Sequence, residues 1–422
     1  MTDVNMGNET RIEFDCSEDR TNPINIEETP EEEAERRARR KARIEAMKRE
    51  KQRAIFLQKR VIPAVAVCVV GFIVFGIVSL VKGSKNEITD GGKQINGTIE
   101  EQGSNTVREE TEAEHDSVNL AIQANQDGNS DNSPIEQEVP EVFQAERTKD
   151  TAGFPDTVIS EYGVFLDVEN NKIIAGKGEN TRISPASMTK ILTILTAADA
   201  LGIQGADWEN SPVLDETFTI TIQITDYSFV NDCSNVGFEV GEEVTVRDLF
   251  YGTILPSGAD AAVGLACFVA GTQEEFVELM NQKLESLGMS DSSHMTNCVG
   301  LYDKEHYSTA YDIAVMLKTA ADNPFCRDVL SAHIYTTAAT QQHPEGILIS
   351  NWFLRRIEDK DTHGEVLCAK TGYVVQSKNC AASLARDGKG KEYICVTAGS
   401  TSTWRCIYDH VELYQKWLEV IE

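Results

Sequence analysis

Positive charge is scarce in this chain. Its 39 lysines and arginines face 68 aspartates and glutamates, which leaves a formal net charge of −29 and a pI near 4.6. That balance argues against nucleic acid as a partner, because neutralising phosphates requires a basic footprint. Metal-ligand patterns are missing too. None of the ten cysteines stands in a CxxC or His-rich spacing, which argues against a zinc site. His294, His306 and His333 show no triad spacing and read as structural. No internal repeat is visible, so the 422 residues suit two or three domains, or one large domain with tails. Cys68 lies in an apolar span and Cys16 in a polar tail. Of the other eight, several sit in apolar runs, as Cys267 does in Leu-Ala-Cys-Phe-Val and Cys395 in Tyr-Ile-Cys-Val. They read as buried thiols acting as small hydrophobes, with disulfides left open for a domain facing an oxidising medium.

The average charge hides an asymmetry. Residues 1 to about 30 are polar and acidic, with no periodic apolar pattern. From Glu31 to Arg60 the chain turns basic, with Arg36, Arg37, Arg39, Arg40 and Lys41 close together. The run Val61–Val81 then carries no charge and is long enough to cross a bilayer core of roughly 30 Å as a helix. It begins too far from the N-terminus for a typical signal peptide. The positive-inside rule expects residues 1–60 to be a cytoplasmic tail, 61–82 a single transmembrane helix, and the rest to lie outside the cell. Residues 83–153 are rich in Glu, Asp, Asn, Gln, Gly and Ser and read as a disordered acidic linker. As a flexible coil it would span roughly 45 Å r.m.s..

The globular domain is expected from 154 to 422. Thr157–Asp167 alternates as a strand, Glu169-Asn170-Asn171 turns, and Lys172–Ala175 returns. A helix follows, with Ser184 as N-cap, Pro185 in the first helical position, and Met188, Ile191, Leu192, Leu195 and Ala198 on a wide apolar face. Phe218–Val244 reads as a β-rich excursion. Helices are expected over Thr245–Leu255, from Ala259, from Thr272 with a capping box to Glu275, and from Ser308 to Ala321. Strand patterns return at Gly364–Ala369, Cys380–Ala385 and Tyr393–Ala398, with Asp387-Gly388-Lys389-Gly390 turning between the last two. An amphipathic helix closes the chain from about Trp404 to Ile421. The fold class expected is α/β of the α+β kind, an antiparallel sheet flanked by helices with an inserted helical region.

Ser187 and Lys190 lie three residues apart at the head of the apolar helix, so they share one face about a turn apart. Burial disfavours a charged lysine and lowers its pKa. A neutral amine beside a hydroxyl is a general base beside a nucleophile. In the first helical turn the backbone N–H of Ser187 lacks an intrahelical partner and can face a developing oxyanion. Ser-x-x-Lys alone is a common tetrapeptide. Its weight comes from Ser257, in the break between two helices at Leu255-Pro256-Ser257-Gly258, and from Lys370-Thr371-Gly372 at the end of a late strand. Those three elements in that order form a serine acyl-transferase set.

From about Val158 to the end the chain resembles the low-molecular-mass penicillin-binding proteins, the D-alanyl-D-alanine carboxypeptidases of serine peptidase family S11. The resemblance rests on Pro185–Lys190, on Leu255–Ala262, on Phe276–Asn281 with Leu287-Gly288-Met289, on Gly300-Leu301 with His306–Ala310 and Asp312, and on Lys370–Tyr373. It implies a β-lactamase/transpeptidase-like fold. It also implies that Ser187 forms an acyl-enzyme between two D-alanines, that Lys190 takes its proton, and that Ser257 relays a proton to the leaving amine. Lys370, Thr371, Gly372 and Tyr373 would bind substrate, with the N–H groups of Ser187 and Tyr373 as the oxyanion hole. The partners implied are peptidoglycan stem peptides and β-lactam inhibitors, with no metal or organic cofactor. Arg405 is offset by one residue from the family's arginine, so carboxylate binding and a plain helix-start arginine stay open. One departure stands out. The middle motif of the family reads Ser-x-Asn, whereas here it is Ser257-Gly258-Ala259, and Asn297 reads either as a substitute or, more simply, as a turn-forming asparagine. A sensory protein that has lost turnover and a β-lactamase are the competing readings.

Overall fold

The computed structural model describes residues 143–420, together with Ala38, Ala42, Glu45, Ala46, Lys48 and Arg49. The expected span at 61–82, the rest of the tail and the linker up to residue 142 lie outside the described residues. Among the described residues no helix is long and apolar enough to cross a membrane.

The strands are β1 (Glu146–Gly153), β2 (Tyr162–Asp167), β3 (Lys172–Lys177), β4 (Thr217–Thr219), β5 (Glu243–Thr245), β6 (Ile334–Thr336), β7 (Leu348–Ser350), β8 (Glu365–Val374), β9 (Lys378–Arg386) and β10 (Glu392–Ser400). Six of them form one sheet in the order β1-β3-β2-β10-β9-β8, while β4 pairs with β5 and β6 with β7. Every neighbouring pair in the large sheet is antiparallel except β1 with β3. The helices are α1 (Thr189–Ala200), α2 (Ile222–Val230), α3 (Val246–Ile254), α4 (Ala259–Ala270), α5 (Gln273–Ser286), α6 (Ala310–Asp322), α7 (Pro324–Ser331), α8 (Leu354–Ile357) and α9 (Thr403–Trp417).

Side chains alternate across a strand, and here both faces of the sheet are covered. Val164, Leu166, Leu384, Ile394 and Val396 face one core, shared with α1 and the inserted helices. Phe165, Ala381, Tyr393 and Cys395 face a second core with Leu413 and Tyr414 of α9. Phe165 stacks on Tyr393 at 5.8 Å and meets Tyr414 edge-on at 5.7 Å. Burying each such side chain contributes roughly 1.5–3 kcal/mol. Among the described residues Cys298, Cys326, Cys368, Cys380, Cys395 and Cys406 are buried free thiols, whereas Cys267 is disulfide-bonded. The six match their reading as small hydrophobes, while Cys267 departs from it and takes the disulfide alternative.

Several expected boundaries move. The domain begins before residue 154, because β1 lies inside the stretch read as linker. Its sequence is polar because it is an edge strand, and five of its eight residues in a row are exposed. The β-rich excursion at 218–244 is instead two short strands around α2. Thr221 caps that helix by accepting the Ile224 N–H at 3.4 Å. Ile220, Ile224 and Tyr227 are its buried spacing, hidden in β-branched residues. Thr245 and Asp248 form a reciprocal capping box at α3, and Thr272 caps α5 through the Glu275 N–H. Thr309 caps α6 in place of Ser308. α7 falls outside the expected set, although Asn323-Pro324 is a start signal in the sequence and Asn323 accepts from both Phe325 and Cys326 N–H.

Candidate active site

The nucleophile turn departs from the expected helix start. Ser184 is no cap. Its hydroxyl is buried without a partner among the described residues. A 3₁₀ turn over Ala186–Met188 comes first, and α1 follows from Thr189. Ala186 has φ +48°, a left-handed conformation uncommon for alanine, and its methyl is fully buried. This kink sets Ser187 on a strained corner at the head of α1. Behind it, every residue from Thr189 to Ala198 is buried.

Lys190 is 2% exposed. Its Nζ lies 3.2 Å from Ser187 Oγ and donates to the Val299 carbonyl at 2.8 Å. Burial lowers its pKa to about 8, against the opposing influence of Cys233, Cys298 and Asp260 nearby. An amine with that pKa is mostly charged at pH 7 and mostly free base at pH 9. The rate at which Ser187 is acylated should therefore rise about tenfold per unit below pH 8 and level off above it. A second-order acylation rate that stays flat from pH 6 to 9 would rule out Lys190 as the base.

Lys370 of β8 is buried as well, and its Nζ donates to the Thr371 carbonyl at 3.0 Å. Burial first, and then the charge of Lys190, push its pKa well down. The two lysines thus sense each other across the site. Gly372 explains how close the strand comes. A Cβ there would sit 3.0 Å from the Ser187 nitrogen, 3.0 Å from Ala186 Cβ and 2.8 Å from Cys380 Sγ. Thr371 is partly exposed, and Tyr373 is largely exposed. Ser257 lies between α3 and α4 with φ +62°, and its Oγ is buried without a partner among the described residues. Leaving such a group unpaired costs about 1–3 kcal/mol.

The loop Thr296–Leu301 closes the site, and sequence reasoning underrated it. Asn297 Oδ1 accepts from the N–H groups of Val299, Gly300 and Leu301 at 3.2, 2.7 and 3.0 Å. Its Nδ2 donates to the Leu301 carbonyl at 3.0 Å. The side chain is committed to folding the loop and does not substitute for the missing asparagine. Ala259 itself is fully buried, and its N–H donates to the Ser234 carbonyl. Gly300, at φ +86°, presses on the nucleophile turn, where a Cβ would stand 1.9 Å from the Ala186 carbonyl oxygen.

Arg405 is a structural residue. It binds Asp409 at 2.9 Å, Glu412 at 2.8 Å and the Thr157 carbonyl, so it is not a free carboxylate receptor. His294, which is exposed, bonds to the Glu305 carbonyl, and the half-buried His333 bonds to the Glu358 carboxylate. Among the described residues no cluster of side chains could hold a metal ion.

The family model for D-alanyl-D-alanine carboxypeptidase, peptidase S11, matches residues 148–402. The chain belongs to that family. Its S11 relatives include the D-alanyl-D-alanine carboxypeptidase DacF of Bacillus subtilis, 30% identical over 56% of this chain and 57% of that one. The D-alanyl-D-alanine carboxypeptidase of Streptomyces strain K15 is 28% identical over 60% of this chain and 86% of the relative. This S11 chain thus spans little more than half the length of the Bacillus protein. The crystal structure of the Streptomyces K15 DD-transpeptidase superposes with a TM-score of 0.54 and 27% identity, covering 63% of this chain and 99% of that one.

Proposed function

We propose that the chain is an active serine-type D-Ala-D-Ala carboxypeptidase that trims the terminal D-alanine from peptidoglycan stem pentapeptides. The observation that carries this is a buried lysine whose pKa falls to about 8, set 3.2 Å from a serine hydroxyl on a strained corner. In acylation, Ser187 Oγ bonds to the carbonyl carbon between the two D-alanines and its proton passes to Lys190. The N–H groups of Ser187 and Tyr373 receive the oxyanion. The C–N bond then breaks, and Ser257 relays the proton held by Lys190 to the departing amine. Water attacks the acyl-enzyme and releases the shortened peptide. Lys370 and Thr371 receive the substrate's terminal carboxylate. An arriving anion favours the ammonium form of Lys370, opposing the downward shift that burial and Lys190 give it. Each step is carried by side chains and backbone, so the reading needs no metal or organic cofactor.

The uncharged run at 61–81 after a basic stretch supports a single-pass anchor, with the N-terminus in the cytoplasm and the catalytic domain outside. Protease added to intact cells should then remove the domain and spare the tail. A second reading has its own observation. Ala259 replaces an asparagine that would orient the substrate's backbone, which favours a penicillin-binding sensor with little turnover. Two assays separate the readings. Stable labelling by a fluorescent penicillin is expected of both, whereas rapid turnover of the label would mean a β-lactamase. Release of D-alanine from a pentapeptide is expected only of the carboxypeptidase, and its absence from a labelled protein would leave the sensor.

A further inference from the structure

His306 is 1% exposed and stands outside the serine–lysine chemistry, yet it joins two parts of the site. Its Nδ1 accepts the Thr296 N–H at 3.0 Å. A ring nitrogen that accepts a backbone N–H carries no proton, so the proton of the neutral ring is on Nε2. Nε2 lies 2.9 Å from Thr189 Oγ1, to which it therefore donates. Thr296 opens the loop whose Val299 carbonyl binds Lys190, and Thr189 is the first residue of α1, next to Lys190. One turn on, Thr193 Oγ1 donates to the Cys298 carbonyl at 2.7 Å. The same face of α1 is thus tied to the loop at Thr189, Lys190 and Thr193, and only the middle tie involves the general base itself.

Only the neutral imidazole can make both bonds, since a protonated Nδ1 would lose the Thr296 N–H. Burial keeps the ring neutral, lowering its pKa to about 4. Asp303 works against that shift and His294 with it.

We propose that His306 is a positioning residue for acylation: as the Nε2–H tautomer it ties the Thr296–Leu301 loop to the head of α1 and so holds the Val299 carbonyl on Lys190. It touches neither substrate nor nucleophile and acts through Lys190. The inference rests on the acyl-enzyme reading above.

The test uses the full chain and one β-lactam, with the acylation rate followed from pH 6 to 9. His306→Leu removes both bonds. It should slow acylation by about tenfold to a hundredfold, the penalty of a misplaced catalytic group. His306→Asn keeps an acceptor near Nδ1, and His306→Gln keeps a donor near Nε2. Each should lose only roughly three- to tenfold, the worth of one hydrogen bond. A carbonyl acceptor favours the ammonium, so loosening it should also lower the midpoint of the Lys190-controlled limb by about half a unit in His306→Leu. A merely structural histidine would leave that midpoint at the wild-type value. Nitrogen NMR of the wild-type ring, which needs no activity, should show the Nε2–H tautomer at pH 7. A midpoint equal to or above wild type, Asn and Gln variants as slow as Leu, or a protonated ring at pH 7 would each overturn the proposal. Absence of acylation in the wild type would instead sink the acyl-enzyme reading, and this proposal with it.

Discussion

Ser187→Ala is expected to leave the chain folded and to remove covalent penicillin labelling altogether. The side chain is half-buried, and its strong polar neighbour, Lys190, keeps the Val299 carbonyl as acceptor when the hydroxyl is gone. Losing one hydroxyl there should change stability by no more than about 1 kcal/mol. The catalytic loss is of another order. Removing a nucleophile from a serine hydrolase costs of the order of a million-fold in kcat. Labelling and the thermal midpoint measured on one preparation decide the matter. A folded Ser187→Ala protein that still labels would place the nucleophile elsewhere.

Gly300→Ala should have the next largest effect, through the backbone alone. Two penalties coincide there. Its φ of +86° is strained for alanine, and the new methyl would stand 1.9 Å from a carbonyl oxygen that no rotamer change can move aside. Strain of about 1–3 kcal/mol adds to overpacking of about 1–3 kcal/mol. Relief requires the loop to leave the Ala186–Ser187 peptide and to carry the Val299 carbonyl away from Lys190. Acylation should fall by about a hundredfold or more, and the melting temperature by several degrees. Gly390→Ala is the matched control, with φ +87° and no heavy atom within 4 Å of its added Cβ. It should share the strain and keep full acylation. Equal behaviour of the two variants would mean that backbone strain alone, and not the close approach to the nucleophile turn, sets the effect.

The chemistry was legible where it is written in side chains at fixed spacing. Ser187 and Lys190 meet because three residues make about one helical turn, and a buried apolar run told which way the lysine would be shifted. Lys370-Thr371-Gly372 was read as closing a strand that ends at Ala369, whereas it lies within β8, which runs on to Val374. Ser184 misled because a serine before a proline is a good cap signal, while the left-handed Ala186 that cancels it leaves no mark in composition. The carbonyl of Val299 was invisible for a plainer reason. A backbone oxygen has no residue identity, and only the fold decides which one meets an amine. Asn297 was read as a reserve amide or as a turn former, and the three N–H groups that converge on its Oδ1 decide for the turn. β1 was hidden because an edge strand exposed along most of its length has the composition of a linker.

A sheet of six strands has two ends, and this one treats them unequally. At the β1 end, Glu146, Arg147, Lys149 and Asp150 line the outermost strand, and such charges discourage another chain from adding a strand. At the β8 end, the Asn351 amide covers the Ala369 carbonyl at 3.0 Å and stops there. Beyond it run Lys370, Thr371, Gly372, Tyr373 and Val374, with Lys370 buried and no other charge among them. With adjacent strands about 4.8 Å apart, the two ends are separated by roughly 24 Å. A peptide that added to the sheet as a further strand would therefore do so at the β8 edge and not at the β1 edge.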